Sequence, residues 1–204
     1  MAAKSPSVVI LAGPNGAGKS TTAPALLKGA LGVAEFVNAD VIARGLSAFR
    51  PESAALAAGR VMLSRIRQLA EERATFAFES TLASLLPARW IAGLVGRGYR
   101  FYLVFLWLPS AEFAVQRVAQ RVAAGGHAVP EEVIRRRYGA GLRNFFAAYQ
   151  PLANRWWMYD NSGAPPPRLI AYGEEARALG VEDANLWDQI RRGCRDEGYS
   201  REPH

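Results

Sequence analysis

Cysteine occurs once in this 204-residue chain, at Cys194, and histidine only twice. A single thiol excludes an internal disulfide and a metal site built from several cysteines. Lysine is scarce as well, standing only at positions 4, 19 and 28, so arginine carries nearly all of the positive charge. Long apolar runs are missing. The longest, Phe101 to Leu108, is strand-sized and far short of the roughly 18 residues that cross a bilayer. No apolar signal region precedes the first strand-like run, from which a cytoplasmic location is expected, with residues 1–6 disordered. Internal repeats and interior linkers are absent too. The expectation is one domain, 7–173, followed by a C-terminal helix and polar tail, 174–204.

What is present is an excess of positive charge, +7 at neutral pH, which suits polyphosphate ligands, nucleic acid or an acidic protein partner without choosing among them. More specific is Gly13-Pro14-Asn15-Gly16-Ala17-Gly18-Lys19-Ser20, then Thr21, between the apolar run Ser7–Ala12 and a helical pattern. Strand, glycine-rich turn and helix in this order form a phosphate-binding loop. Its glycines let backbone N–H groups point inward at an anion, and the helix adds its positive dipole end. Lys19 would reach the β- and γ-phosphates of ATP, and the Ser20 hydroxyl would ligate Mg²⁺.

Short apolar runs alternate with helical patterns down the rest of the chain. Strands are expected at Glu35–Asp40, Thr75–Glu79, Tyr99–Leu108, Trp156–Tyr159 and Arg168–Tyr172. The alternation predicts an α/β protein, a parallel-sheet P-loop NTPase or kinase fold with helices on both faces. Ligands in such sheets lie beyond the carboxyl ends of the strands, where the loop, Asp40 and Glu79 all fall.

Other P-loop classes lack support here. No Leu-Ser-Gly-Gly-Gln signature or apolar strand ending in Asp-Glu marks a transporter-type ATPase, and no Asn-Lys-x-Asp marks a GTPase. Between Arg117 and Arg137 lies an arginine-flanked segment broken by Gly125-Gly126. Small kinases use such a segment as a lid that brings arginines over the transferring phosphoryl group.

From Val8 to Ser162 the chain resembles the zeta-toxin-like P-loop kinases. The resemblance rests on the phosphate loop, Phe36-Val37-Asn38-Ala39-Asp40, Phe78-Glu79-Ser80-Thr81, Arg121 through Pro130, the Arg135–Tyr138 cluster and Tyr159-Asp160-Asn161-Ser162. It implies an ATP- and Mg²⁺-dependent kinase that phosphorylates a small-molecule hydroxyl, in the best-known members the 3′-hydroxyl of UDP-N-acetylglucosamine. It also implies toxicity and a cognate antitoxin. Lys19, Asp40 and Arg121 would be catalytic, Asp40 as the base and Arg121 on the γ-phosphate. Glu79 and Thr81 would bind the acceptor, and Arg44 is a further substrate-binding candidate. His127 stands where the family has a second arginine, so either His127 or an arginine among Arg135, Arg136 and Arg137 supplies the second lid cation. The long C-terminal part of sugar-nucleotide-specific members is lacking.

Blander readings stand beside these. Asp40 could simply cap the following helix, and Glu79 could pair with Arg44 or Arg50. Trp156, Trp157 and Tyr159 suit the core better than a base-stacking surface, and Asn161-Ser162 could border adenine or form a plain turn. Two other functions fit: a nucleic-acid 5′-hydroxyl kinase or RNA-repair enzyme, favoured by the basic charge, and a non-catalytic nucleotide-binding module.

Overall fold

The computed structural model of the chain describes residues 5–126 and 128–199. At its centre β1 (Ser7–Ala12) runs parallel to β3 (Phe76–Ser80) on one side and β4 (Arg100–Trp107) on the other. Val8 to Ala12 are fully buried, and most residues of β4 are buried, because helices cover both faces of these strands. The short β2 (Glu35–Val37) extends the sheet beyond β3, and β5 (Arg155–Asp160) extends it beyond β4, both parallel.

Alternate residues of β1 feed two separate cores. Val8, Ile10 and Ala12 face α3 (Ala55–Glu71), α4 (Leu86–Gly96) and the C-terminal α7 (Ala184–Tyr199). Val9 and Leu11 face α1 (Lys19–Ala23) with its π-helical continuation Pro24–Ala30, α5 (Ala111–Ala123) and the first turns of α6 (Glu131–Asn144). Each fully buried Phe or Leu in these layers stabilises the fold by about 1.5–3 kcal/mol. Helix α6 passes from one layer to the other: Ile134 packs in the second core, while Phe145, in the π-helical turn Phe145–Tyr149, packs in the first.

The C-terminal part departs from expectation. Beyond β6 (Arg168–Glu174), which pairs antiparallel with β5, a seventh strand β7 (Arg177–Val181) pairs antiparallel with β6. The helix expected after residue 174 is α7, but the unexpected β7 precedes it and extends the sheet, and α7 covers the sheet's first face. Trp187 of α7 stacks on the fully buried Trp156 with ring centroids 5.5 Å apart. Residues 1–4 and 200–204 lie outside the described residues. Pro6, expected to be disordered, is instead buried, and its carbonyl accepts from the Arg100 amide at 2.9 Å. Among the described residues no helix is long and apolar enough to cross a membrane.

Candidate active site

Where β1 ends the backbone turns sharply, and Gly13, Gly16 and Gly18 all take positive φ, at 140°, 79° and 75°. A side chain at these positions would be strained, and at Gly18 its Cβ would sit 2.7 Å from the Asn161 side-chain nitrogen. The Gly13 position has no room either, because a Cβ there would collide with the Leu106 carbonyl of β4. Lys19 begins α1 and folds over this loop, its ammonium donating to the carbonyls of Gly13 and Pro14 at 2.9 Å each. Burial lowers its pKa. Attraction to Glu79 and Asp40 opposes that shift, and repulsion from Arg121 and Arg137 adds to it. Four charges from four different elements thus converge on one ammonium.

Beside Lys19, the Ser20 hydroxyl donates to Glu79 Oε1 at 2.8 Å. The buried Asn38 side-chain amide donates to the same oxygen at 2.8 Å and to Ser20 Oγ at 3.2 Å. Burial raises the Glu79 pKa, offset by the Lys19 charge and by the bonds from Ser20 and Asn38. Glu79 was expected to bind an acceptor or to pair with Arg44 or Arg50. Its hydrogen-bond partners are the loop serine and Asn38 rather than either arginine.

Asp40 lies on the first turn of α2 (Ala39–Leu46) and is exposed. Sequence placed it at the end of the second strand and as a candidate helix cap. The cap is Asn38, whose Oδ1 accepts from the backbone N–H groups of Asp40 and Val41 at 2.8 and 3.2 Å. The Asp40 carboxylate is thereby left free of capping, and its charge attracts Lys19 and Arg137. Arg44 turns back along its own helix, donating to the Asp40 carbonyl at 3.4 Å.

The arginines sort by helical phase. Arg121, half-buried in the last turn of α5, bears on Lys19, and the chain then folds back so that the Gly126 amide donates to its carbonyl at 2.8 Å. On α6, Arg137 is the arginine that faces the site: burial and neighbouring Arg136 lower its pKa, and attraction to Asp40 opposes them. Arg135, two positions away and so on nearly the opposite helix face, pairs with Glu131 and Glu112 instead. Arg136 lines an outer cleft with Pro109, Tyr138 and Gln189. Of the three arginines expected to offer the second lid cation, Arg137 is the one coupled electrostatically to Lys19 and Asp40. His127 lies outside the described residues.

Two further pieces frame the site. Arg117 stacks on Phe113, with 5.1 Å from guanidinium to ring, and donates to the carbonyls of Asn161 and Ser162 at 3.2 and 2.9 Å. Thr81 starts a loop fastened by α6: Asn144 donates to the Leu82 carbonyl at 2.7 Å, and Gly141 lies so close to the Thr81 carbonyl that a Cβ would collide with it. The Tyr149 phenol, pushed up to about 12 by burial, donates to the Ser84 carbonyl at 2.5 Å. Asn38 received no role from the sequence, Arg117 was named only as the edge of the lid segment, and Arg137 was one of three alternatives for the second lid cation. Asn38 could have been found from its place two residues before an acid at a helix start.

A parallel sheet whose first strand opens into a phosphate loop, with helices on both faces, defines an α/β P-loop protein. Residues 8–140 match the AAA domain family, and the chain belongs to it. A relative in Haemophilus influenzae, described only as an uncharacterized protein, is 25% identical over 130 residues, covering 64% of this chain and 91% of that protein. In fold the chain is similar to the crystal structure of AvrRxo1-ORF1:AvrRxo1-ORF2 with sulphate ions, at a TM-score of 0.69 and 18% identity. That alignment covers 92% of this chain but 64% of the other, so the chain spans under two thirds of it. A structure of the same pair with ATP gives a TM-score of 0.68, again at 18% identity, with the same coverage of both chains. The PezAT chromosomal toxin–antitoxin system of Streptococcus pneumoniae gives 0.60 at 14% identity, covering 98% of this chain and 90% of that one. At these identities the likeness is one of fold.

Proposed function

We propose that this protein is an ATP-dependent phosphotransferase that phosphorylates a hydroxyl of a small molecule. The observation that carries the reading is the meeting of Glu79, Asp40, Arg121 and Arg137 around the Lys19 ammonium. A nucleotide-binding module needs the loop and its lysine. A carboxylate coupled to that lysine and to Arg137, with Arg121 also bearing on the lysine, is what phosphoryl transfer needs in addition.

The residues fit both ligands. The positive-φ glycines leave a side-chain-free cradle of amides for phosphates. Among the described residues no cluster of three His, Cys, Asp or Glu could hold a metal alone. Ser20 and Glu79 offer hard oxygens beside the loop, which suits Mg²⁺, an ion that takes few protein ligands and completes its shell from phosphates and water. When bound, Mg²⁺ would neutralise charge on the β- and γ-phosphate oxygens.

In the transfer, the Asp40 carboxylate accepts the proton of the acceptor hydroxyl as its oxygen bonds to the γ-phosphorus. The bond from that phosphorus to the β–γ bridging oxygen breaks, and ADP leaves. Lys19, Arg121 and Arg137 hold the charge on the phosphoryl oxygens, and Arg117 with Asn161 borders the nucleotide end. Glu79 holds the Ser20 hydroxyl through Oε1, and its carboxylate would help to position the acceptor.

The sequence resemblance makes UDP-N-acetylsugars the first acceptors to try. The similar folds studied as the pairs PezAT and AvrRxo1-ORF1:ORF2 support a search for an antitoxin-like partner of a toxic kinase. The test is γ-labelled ATP with a small-molecule extract, UDP-N-acetylglucosamine and a 5′-hydroxyl RNA as separate arms. Label should move to a small molecule with the wild-type protein and not with Lys19→Ala. Label moving only to RNA would replace this reading with the nucleic-acid one, and no transfer in any arm would overturn both.

A further inference from the structure

The Asn38 side chain is spent completely, and only part of that is needed to cap a helix. Its Oδ1 accepts two N–H groups at the start of α2, while its Nδ2 reaches Glu79 Oε1 and Ser20 Oγ. Capping alone is served as well by Ser, Asp or Thr, and such residues sit at the surface of many helices. Here the capping residue is 5% exposed, one of two buried polar residues among those described. Burying an amide is costly unless both of its ends are bonded, and here both are.

We propose that Asn38 is a positioning residue that ties three parts of the site into one unit. Through its carbonyl it holds the helix turn bearing Asp40. Through its amino group it holds Ser20 of the phosphate loop and Glu79 of β3. The amide is planar, so the offset between Asp40 and the loop is set by one rigid group rather than by a chain of flexible contacts. Aspartate preserves the cap but cannot donate, and serine preserves the cap but is too short to bridge. Asparagine alone among capping residues satisfies both sides. The inference rests on the phosphotransferase reading and assigns that site a residue which touches neither the acceptor nor the transferred group.

The test compares Asn38→Asp and Asn38→Ser with wild type and with Lys19→Ala, in three measurements. Thermal melting in EDTA without nucleotide reports the cap. Binding of a fluorescent ATP analogue in EDTA and in Mg²⁺ reports the loop. Steady-state ATP turnover, with water or an identified acceptor, gives kcat and KM. Asn38→Ser should melt close to wild type and Asn38→Asp lower, because its carboxylate lies beside Glu79, and both should bind nucleotide in EDTA within a few-fold of wild type. They should lose most of the affinity gained from Mg²⁺, and kcat should fall roughly 10- to 100-fold with a smaller change in KM. That is the scale of losing hydrogen bonds to a charged group. The serine variant separates the lost bridge from the new charge that aspartate brings beside Glu79. If both variants match wild type in Mg²⁺ response and kcat while Lys19→Ala is dead, Asn38 is only a cap and this inference alone falls. Losses that track the fall in melting temperature would also overturn it. If wild type itself neither binds Mg·ATP nor turns it over, the functional reading falls and takes this inference with it.

Discussion

The side-chain amide of Asn161 donates to the carbonyl of Ala17 at 2.8 Å, joining the loop after β5 to the phosphate loop 144 residues earlier in the chain. Its own carbonyl accepts from Arg117, so this turn is tied to the phosphate loop on one side and to α5 on the other. Asn161→Ala should therefore weaken ATP binding by about 2- to 12-fold, the loss of one ordinary hydrogen bond, with little effect on kcat. Titration with a fluorescent ATP analogue would check this, and unchanged affinity would mean that the loop holds its shape without the brace.

Lys19→Ala should abolish transfer and weaken ATP binding while the chain still folds. The ammonium is desolvated over its own loop and bonded only to two carbonyls there, so its loss removes a group whose charge the fold itself disfavours. Melting temperature at or above that of wild type, with no labelled product, is the expected result. A mutant that transferred phosphate at a near wild-type rate would defeat the phosphate-loop reading.

The arginines of α6 offer a sharper contrast because two neighbours in sequence have opposite surroundings. Arg137→Ala should lower kcat by about 10²- to 10³-fold, the scale seen when a charge-stabilising donor is removed. Arg135→Ala should leave kcat alone and hardly change the melting temperature, since its pairs with Glu112 and Glu131 are solvent-exposed. Equal effects on turnover would show that helical phase does not decide which arginine serves the site.

That phase is also where sequence reading reached its limit. The phosphate loop was legible because packing alone rarely demands glycines, lysine and serine at these fixed offsets behind an apolar strand. The long central strand was legible because Phe101 to Leu108 is buried on both faces. The cluster Arg135-Arg136-Arg137 showed that arginines were present but not which one faces inward. That choice depends on the helix rotation set by Ile134, buried in the second core. Strand β7, Arg-Ala-Leu-Gly-Val, is short and at the sheet edge, with glycine under the Tyr172 ring, so its pattern is too weak to declare itself. A boundary error of three residues at the end of β2 moved the helix cap from Asn38 to Asp40, and with it the part that Asn38 plays.

Glu79 carries a pH signature. Its pKa is raised in the folded state by burial, so between the ordinary carboxylate value and the raised one the folded chain binds more protons than the unfolded chain. Stability therefore falls as pH rises through that window and is regained as pH falls. Glu79→Gln keeps an acceptor oxygen for Ser20 and Asn38 but removes the charge. In EDTA it should melt higher than wild type at neutral pH, and the difference should vanish below about pH 4, where an ordinary glutamate protonates. A gap independent of pH would mean that the substitution acts through packing.

Asp40→Asn separates a phosphotransferase from a nucleotide-binding module. The carboxylate stands on the first turn of α2, and it does not cap that helix, since Asn38 accepts the free N–H groups there. Removing its charge should therefore leave α2 and the melting temperature nearly unchanged. ATP contacts are supplied by Lys19, Ser20 and the loop amides, so nucleotide affinity should also hold. What asparagine cannot do is accept the proton that the attacking hydroxyl must lose, a contribution of typically 10²- to 10⁴-fold. Turnover should fall at least about a hundredfold, with KM for the acceptor changing less than kcat. Attraction to Arg137 is lost as well, but a loss of charge pairing alone would appear equally in Arg137→Ala. The double variant distinguishes the two: if Asp40 is the base, Asp40→Asn remains costly in an Arg137→Ala background. Turnover within a few-fold of wild type in Asp40→Asn would leave the site without a base and the protein as a module that only binds nucleotide.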